Sequence, residues 1–328
     1  MNRSNVPPPV TRVLDAAEAW LPRRMAAVEA RLSELLTGGG PTLAAEAGAT
    51  LAAGGKRLRP MLVLVCAGDQ AGDEAIRAAT AIELVHMATL VHDDVLDAAP
   101  LRRGLPTVVA RAGRATATAV GDLLFSRAFA ELSRPPGNGS GRQVGLLAGA
   151  SVGLAKGELA QRQDAFDLGI GADRYLERCR LKTARLFECA CLIGTEADPR
   201  QEAALATFGV EIGLAFQLLD DVLDVTGPAQ RTGKAVGTDL LDGTVTMPLI
   251  LARASDRSLA ELDLRSLDAD GAAEVCSRIA ATGVLETVRA DARARVEHAK
   301  SVLAPAGIDA RRRQLLTMVA DGVVERYS

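Results

Sequence analysis

Proline placement is what most constrains this 328-residue chain. Its 14 prolines leave three long stretches untouched, 61–99, 137–198 and 249–304. Inside a helix, proline removes a backbone donor and clashes with the preceding turn, at about 3 kcal/mol. These three stretches are therefore free to run as long helices. Composition points the same way, with 3% aromatic residues against 48% hydrophobic ones dominated by Ala, Leu and Val. Strands enrich for aromatic and β-branched residues, helices for Ala and Leu. The apolar fraction suffices for a sizeable core.

Periodicity agrees. Ile82, Val85, Thr89 and Asp93 recur at three- and four-residue steps, as one helix face requires. Gly213, Phe216, Gln217, Asp220 and Asp224 do likewise. No period-two strand and no βαβ alternation stands out. The expectation is an all-α fold in one domain over 1–328, with residues 1–10 disordered. Breaks are expected at 98–107, at 134–142 and at the Gly-rich 226–248, which reads as mobile.

Several function classes fall away. Net charge is −3, so no basic surplus exists to neutralise a nucleic acid backbone. The five cysteines are odd in number and lack zinc spacing, and read as buried thiols in a reducing cytosol. The first ten residues carry no apolar signal segment. No apolar run reaches the ~18 uninterrupted residues of a membrane span. The expectation is a cytoplasmic protein without a transmembrane segment.

The pentapeptide DDVLD occupies residues 93–97 and recurs at 220–224, each time ending an apolar run. Residues i and i+4 share a helix face, so Asp93 and Asp97 point one way, with Asp94 about 100° around. Asp220, Asp221 and Asp224 repeat the arrangement. Like charges at this spacing repel unless a cation screens them. Mg²⁺ suits such carboxylates and completes its shell with water and substrate phosphates. A solvated acidic helix end is the simpler reading of one copy. Two identical copies, each closing an apolar helix, favour carboxylates lining a cavity that takes a diphosphate.

Cations complete the pattern. In "AGGKRLRPML" (53–62), paired glycines precede Lys56, Arg57 and Arg59, then Pro60 opens an apolar run. Flexible glycines followed by cations near a helix N-terminus fit a phosphate site, and equally, taken alone, a basic helix start of no consequence. Arg102 and Arg103 follow the first acidic motif, and Lys182 and Thr183 lie in a long helical stretch. Gln217 precedes Asp220 by three residues and His86 precedes Asp93 by seven, each on the same face.

These segments, in this order, resemble the trans-isoprenyl diphosphate synthase (polyprenyl synthase) family. The landmarks are "GGKRLRP", "ELVHMATLVHDDVLD", "GDLLFSRAF", "KTARLF", "GLAFQLLDDVLD" and "GKAVGTDLLDGTVTMP". The resemblance implies an isoprenoid-synthase-type bundle of long helices around a deep central cavity, usually a homodimer. It implies condensation of isopentenyl diphosphate onto an allylic diphosphate with about three Mg²⁺ ions. It implies metal binding by Asp93, Asp97 and Asp220, supported by Asp94, Asp221 and Asp224. Isopentenyl diphosphate would meet Lys56, Arg59, His86 and Arg103. The allylic diphosphate would meet Arg102, Lys182, Thr183, Gln217 and Lys234. One departure is Thr244, where many members carry a second lysine.

The residues about one turn below Asp93, Thr89 and Ala88, are small, as is Val85 beyond them. In this family a bulky aromatic there acts as a floor to the growing product. Small residues imply a long chain of six or more isoprene units. The competing readings are a shorter-chain (farnesyl or geranylgeranyl) synthase, a cyclase or head-to-head synthase, and a non-catalytic partner subunit.

Overall fold

The computed structural model describes residues 8–38, 40–52, 55, 57–102, 104–133, 140–195, 198–227 and 236–325. Its elements are α1 (Pro8–Ala16), α2 (Trp20–Thr37), α3 (Pro41–Ala52), α4 (Leu58–Ala67) and α5 (Asp73–Leu96). A two-stranded ribbon, β1 (Leu101–Arg102) and β2 (Leu105–Pro106), leads into α6 (Val108–Leu132) and α7 (Ser140–Gln163). Next come α8 (Ala172–Cys179), a π-helical turn (Arg180–Ala184), α9 (Arg185–Ile193) and α10 (Pro199–Thr226). The chain closes with α11 (Thr238–Leu241), α12 (Met247–Ala252), α13 (Arg257–Ala260), α14 (Ala269–Ala281), α15 (Val284–Ser301) and α16 (Ala310–Glu325). The expected all-α class is what forms; the three proline-free stretches carry α5, α7 and α15, while the two longest helices, α6 and α10, lie outside them.

Two helices organise the bundle. One is α5, which packs along α6 and against α4 and buries Ala78, Ile82, Leu84 and Val85. The other is α10, packed against α9 and α15, with Phe208, Ile212, Leu214 and Leu218 buried. Asp198 caps α10 by accepting from the Arg200 and Gln201 amides at 2.9 and 3.1 Å, ahead of Pro199 in the first turn. Among the described residues, α10 is the one helix long and apolar enough to cross a membrane, with a window of mean hydropathy 1.4. That window is 61% buried inside the protein, and helices apolar all round belong in cores. Each central helix ends at one copy of DDVLD, so both acidic turns are anchored in the core.

Glycines set the closest approaches. A methyl on Gly213 of α10 would lie 2.6 Å from the Ala184 Cα, and one on Gly157 of α7 would lie 2.6 Å from the Lys182 amide nitrogen. Backbone therefore meets backbone around the π-helical turn from two sides.

Four expectations are corrected. Residues 8–10 are helical rather than disordered, because Val10 and Val13 are buried and α1 packs on α16. Leu101–Arg102 and Leu105–Pro106 pair in a short ribbon, with strands of two residues that no alternation could reveal. Of the expected break at 134–142, residues 134–139 lie outside the described residues, and 140–142 belong to α7, which begins at Ser140. Its first turn is held by Arg142, which donates to the Leu192 and Thr195 carbonyls at 3.1 and 2.9 Å. The described part of 226–248 is largely buried rather than loose: the Thr244 amide donates to the Asp239 carbonyl at 2.7 Å, and Arg178 to that of Val245 at 2.6 Å.

Gly213→Val is expected to lower the unfolding midpoint by the equivalent of about 1–3 kcal/mol, through overpacking against Ala184. Gly48→Ala in α3, where an added methyl meets nothing within 4 Å, is expected to raise stability by about 0.5–1 kcal/mol. Paired denaturant titrations check both.

Candidate active site

The first acidic turn closes α5. Asp93 is half-buried and Asp97 exposed at the helix C-cap, while Asp94 is buried. Arg102 on β1 donates from Nε to Asp94 Oδ1 at 2.8 Å. The loop between them is pinned by the Ala99 amide on the Asp94 carbonyl (3.0 Å) and by Thr107 Oγ1 on the Ala99 carbonyl (2.6 Å). Burial pushes the Asp93 carboxyl up to about 6; Lys182 and Arg102 oppose the rise, whereas Glu158 and Asp97 add to it.

The second acidic turn closes α10. Asp220 is exposed, Asp224 half-buried and Asp221 buried. Asp221 accepts from Gln217 Nε2 at 2.8 Å through one oxygen and from the Tyr175 hydroxyl through the other. Thr183 Oγ1 in turn donates to Gln217 Oε1 at 2.7 Å. Burial holds the Asp221 carboxyl well above the carboxylate range. Asp224 accepts from the Asp239 amide at 3.2 Å.

The π-helical turn 180–184 joins the two. Its wider winding displaces side chains from the α-helical screw, as single π turns at functional sites do. Lys182 goes to the first motif's side, 2.6 Å from Glu158 and 3.2 Å from Gln161 Oε1, and is charge-coupled to Asp93 and Asp97. Thr183, its immediate neighbour, goes to Gln217 and so to the second motif. Arg162 adds a 3.4 Å contact to Asp97.

A third group sits at the start of α4. Arg59 Nη1 lies 3.4 Å from His86 Nε2, and its guanidinium stacks 4.4 Å over the Phe187 ring. Phe187 on α9 in turn contacts Phe216, the neighbour of Gln217, at 5.6 Å between rings. Arg57 does not belong with the free cations expected there: its guanidinium pairs with Glu29 at 2.6 Å and Glu83 at 2.8 Å.

The sequence-identified residues thus fall in three linked groups: Asp93, Asp94, Asp97, Arg102 and Lys182; Thr183, Gln217, Asp220, Asp221 and Asp224; and Arg59 with His86. Lys56, Arg103 and Lys234 lie outside the described residues. Thr89 is half-buried one turn below Asp93, while Ala88 and Val85 are fully buried. His92, one turn on from Ala88, stacks on Phe125 of α6. Thr244, in the usual lysine position, is buried.

Sequence reasoning missed Glu158, Gln161 and Arg162 of α7, although their i, i+3, i+4 spacing marks one polar face. It also missed Tyr175 and Glu83, which carry no local signal. All five cysteines are buried and free, and burial pushes the Cys179 and Cys189 thiols up to about 12.

The donor chemistry fits Mg²⁺. Asp93, Asp97 and Asp220 offer hard carboxylate oxygens. Among the described residues no three His, Cys, Asp or Glu side chains converge into a metal cage. A cation here would take water and phosphate oxygens to fill its shell, as Mg²⁺ does with nucleotide and phosphate substrates.

Residues 41–275 match the model of the family described as Polyprenyl synthetase. Over 280 residues the chain is 38% identical to heptaprenyl diphosphate synthase component 2 of Geobacillus stearothermophilus, covering 83% of this chain and 87% of that one. Its structure is similar to a polyprenyl synthase from Caulobacter crescentus CB15 solved with calcium and isoprenyl diphosphate, at a TM-score of 0.89 and 34% identity over 97% of this chain and 98% of that one. A decaprenyl diphosphate synthase from Rhodobacter capsulatus follows at 0.85 and 34%, over 97% and 99%. An all-α isoprenoid synthase fold that aligns end to end at this identity leaves one assignment: the chain belongs to the polyprenyl synthetase family and is a prenyltransferase.

Proposed function

We propose that the protein condenses isopentenyl diphosphate head-to-tail with an allylic diphosphate, in the presence of Mg²⁺, to make an all-trans polyprenyl diphosphate of six or more isoprene units. The observation that carries this is the π-helical turn that sends Lys182 to one DDVLD and Thr183 to the other. It supports two acidic turns acting on one diphosphate.

Asp93, Asp97 and Asp220 would hold about three Mg²⁺ ions, steadied by Asp94, Asp221 and Asp224. Bound Mg²⁺ supplies positive charge to the phosphate oxygens as the diphosphate departs. Lys182, Arg102, Thr183, Gln217 and Lys234 grip the allylic diphosphate by charge and hydrogen bonding. Lys56, Arg59, His86 and Arg103 hold isopentenyl diphosphate with its double bond toward the allylic carbon. The allylic C–O bond breaks, and its electron pair leaves with the diphosphate. The isopentenyl double bond then forms the new C–C bond, and a proton passes to the departed diphosphate. The apolar faces of α5 and α10 keep water from the cationic carbon.

Chain length rests on Thr89, Ala88 and Val85, none of which is bulky enough to form a floor. The names of the heptaprenyl and decaprenyl relatives support this. We further propose a homodimer formed through α6 and α7, where Leu123 (37% exposed), Val152 (55%) and Leu159 (61%) present apolar surface to solvent. The five buried thiols support a reducing, cytoplasmic setting.

Incubation with Mg²⁺, labelled isopentenyl diphosphate and dimethylallyl, geranyl or farnesyl diphosphate is expected to yield long-chain products. No condensation with any primer rejects the activity of the chain alone. Asp93→Asn and Asp220→Asn are each expected to lose activity about a hundredfold or more. Ala88→Phe and Thr89→Phe are expected to shorten the product; unchanged lengths in both reject the floor argument. Light scattering should give twice the chain mass, falling to the chain mass in Leu123→Glu/Val152→Glu.

A further inference from the structure

Among the described residues, four that carry a side chain take a positive φ, and Arg57 at the start of α4 is one of them. It sits at φ 48°, ψ 33°, a left-handed conformation that is unfavourable for a residue with a Cβ. Such a residue persists only where its surroundings over-determine it. Here they do. The guanidinium is held by Glu29 of α2 at 2.6 Å, by Glu83 of α5 at 2.8 Å and by the Leu51 carbonyl of α3 at 3.3 Å. Arg57 is 7% exposed and Glu83 3%. A buried, fully paired Arg–Glu contact is weak evidence for stability in itself, because an apolar pair of similar volume often does as well. Its retention at a strained turn calls for another reason.

The neighbouring residues supply one. Arg57 is the residue from which α4 starts, and its carbonyl accepts the Met61 amide at 3.0 Å. The left-handed turn therefore sets where the first turn of α4 points, and Arg59 lies in that turn. On α5, Glu83 precedes His86 by three residues, so both project from one face. Glu83 takes Arg57 while His86 meets Arg59: two successive rungs of α5 grip two alternate residues of the α4 start. The outcome differs between the two cations. Each of the three guanidinium nitrogens of Arg57 has an acceptor, whereas Arg59 Nε is buried with no partner. Burial lowers the Arg59 guanidinium to about 10, and Glu83 is the charge that opposes this.

We propose that Glu83 and Arg57 form a latch that positions Arg59 for isopentenyl diphosphate, without either latch residue touching the substrate. This rests on the reading of Arg59 and His86 as the isopentenyl diphosphate site. Glu83 and Arg57 are positioning residues, and their loss acts on one substrate only.

The test is steady-state kinetics with each substrate varied in turn, on variants whose folding is checked by thermal melts. Glu83→Gln keeps the shape and removes the charge. It is expected to raise KM for isopentenyl diphosphate about 10–100-fold, the range seen when a residue supporting a ligand-holding group is lost. KM for the allylic diphosphate is expected to stay within about threefold, because Lys182, Thr183 and Gln217 are held by other bonds. Should Glu83→Gln melt below the assay temperature, Arg57→Lys gives the same readout, since an ammonium cannot span both carboxylates as the guanidinium fork does. Arg59→Ala separates the two levels of the argument. If it leaves the isopentenyl KM unchanged, the site reading and the latch both fall. If it raises that KM while the folded latch variant shows wild-type values, or raises both KM values equally, the latch alone is overturned.

Discussion

Everything at the candidate active site depends on the π-helical turn at residues 180–184. In a regular α-helix, neighbours such as Lys182 and Thr183 point about 100° apart. Two flanking helices must then come close for both residues to find partners. Gly157 on one side and Gly213 on the other permit that approach, since a single methyl at either would collide with backbone. The turn can therefore place a cation beside Asp93 and a hydroxyl on Gln217 at once. Remove the close packing and the two acidic motifs become separate helix ends.

The two DDVLD copies share a division of labour. In each, the middle carboxylate is buried and committed to protein donors, while an outer one reaches solvent. A buried carboxylate without partners would be costly, so these bonds are obligatory. They fix the rotation of the helix end and hence where the outer carboxylates project. The donors differ in kind. Asp94 is held by a cation from the ribbon, and Asp221 by two neutral donors, Tyr175 and Gln217. The first anchor thus depends on charge and on a loop, whereas the second is built wholly from helices.

The same logic extends to the start of α4. A strained turn, two carboxylates from different helices and a stacked guanidinium occupy the space between α2, α4 and α5. Phe187 and Phe216 carry that packing through α9 to Gln217. A line of ring contacts therefore runs from Arg59 over Phe187 to Phe216, the sequence neighbour of Gln217, so the start of α4 and the second acidic turn pack against the same α9 residue or its neighbour.

Much of this was legible in the chain itself. Proline spacing and three- to four-residue periodicity determine the long helices, because both act locally through backbone donors and helix faces. The doubled DDVLD with its Lys, Arg and Gln neighbours points to a site for a cation and a diphosphate, and the ordered motifs carry the family resemblance that names the chemistry. Tertiary structure alone decided that Arg57 is clamped while Arg59 keeps a buried donor unpartnered, that Tyr175 serves Asp221, and that Lys182 and Thr183 diverge. Those outcomes turn on contacts between residues far apart in sequence, such as Arg59 and Phe187, and on a winding defect that no periodicity announces. A local pattern specifies which face a side chain occupies; only the packing of helices determines what stands opposite that face.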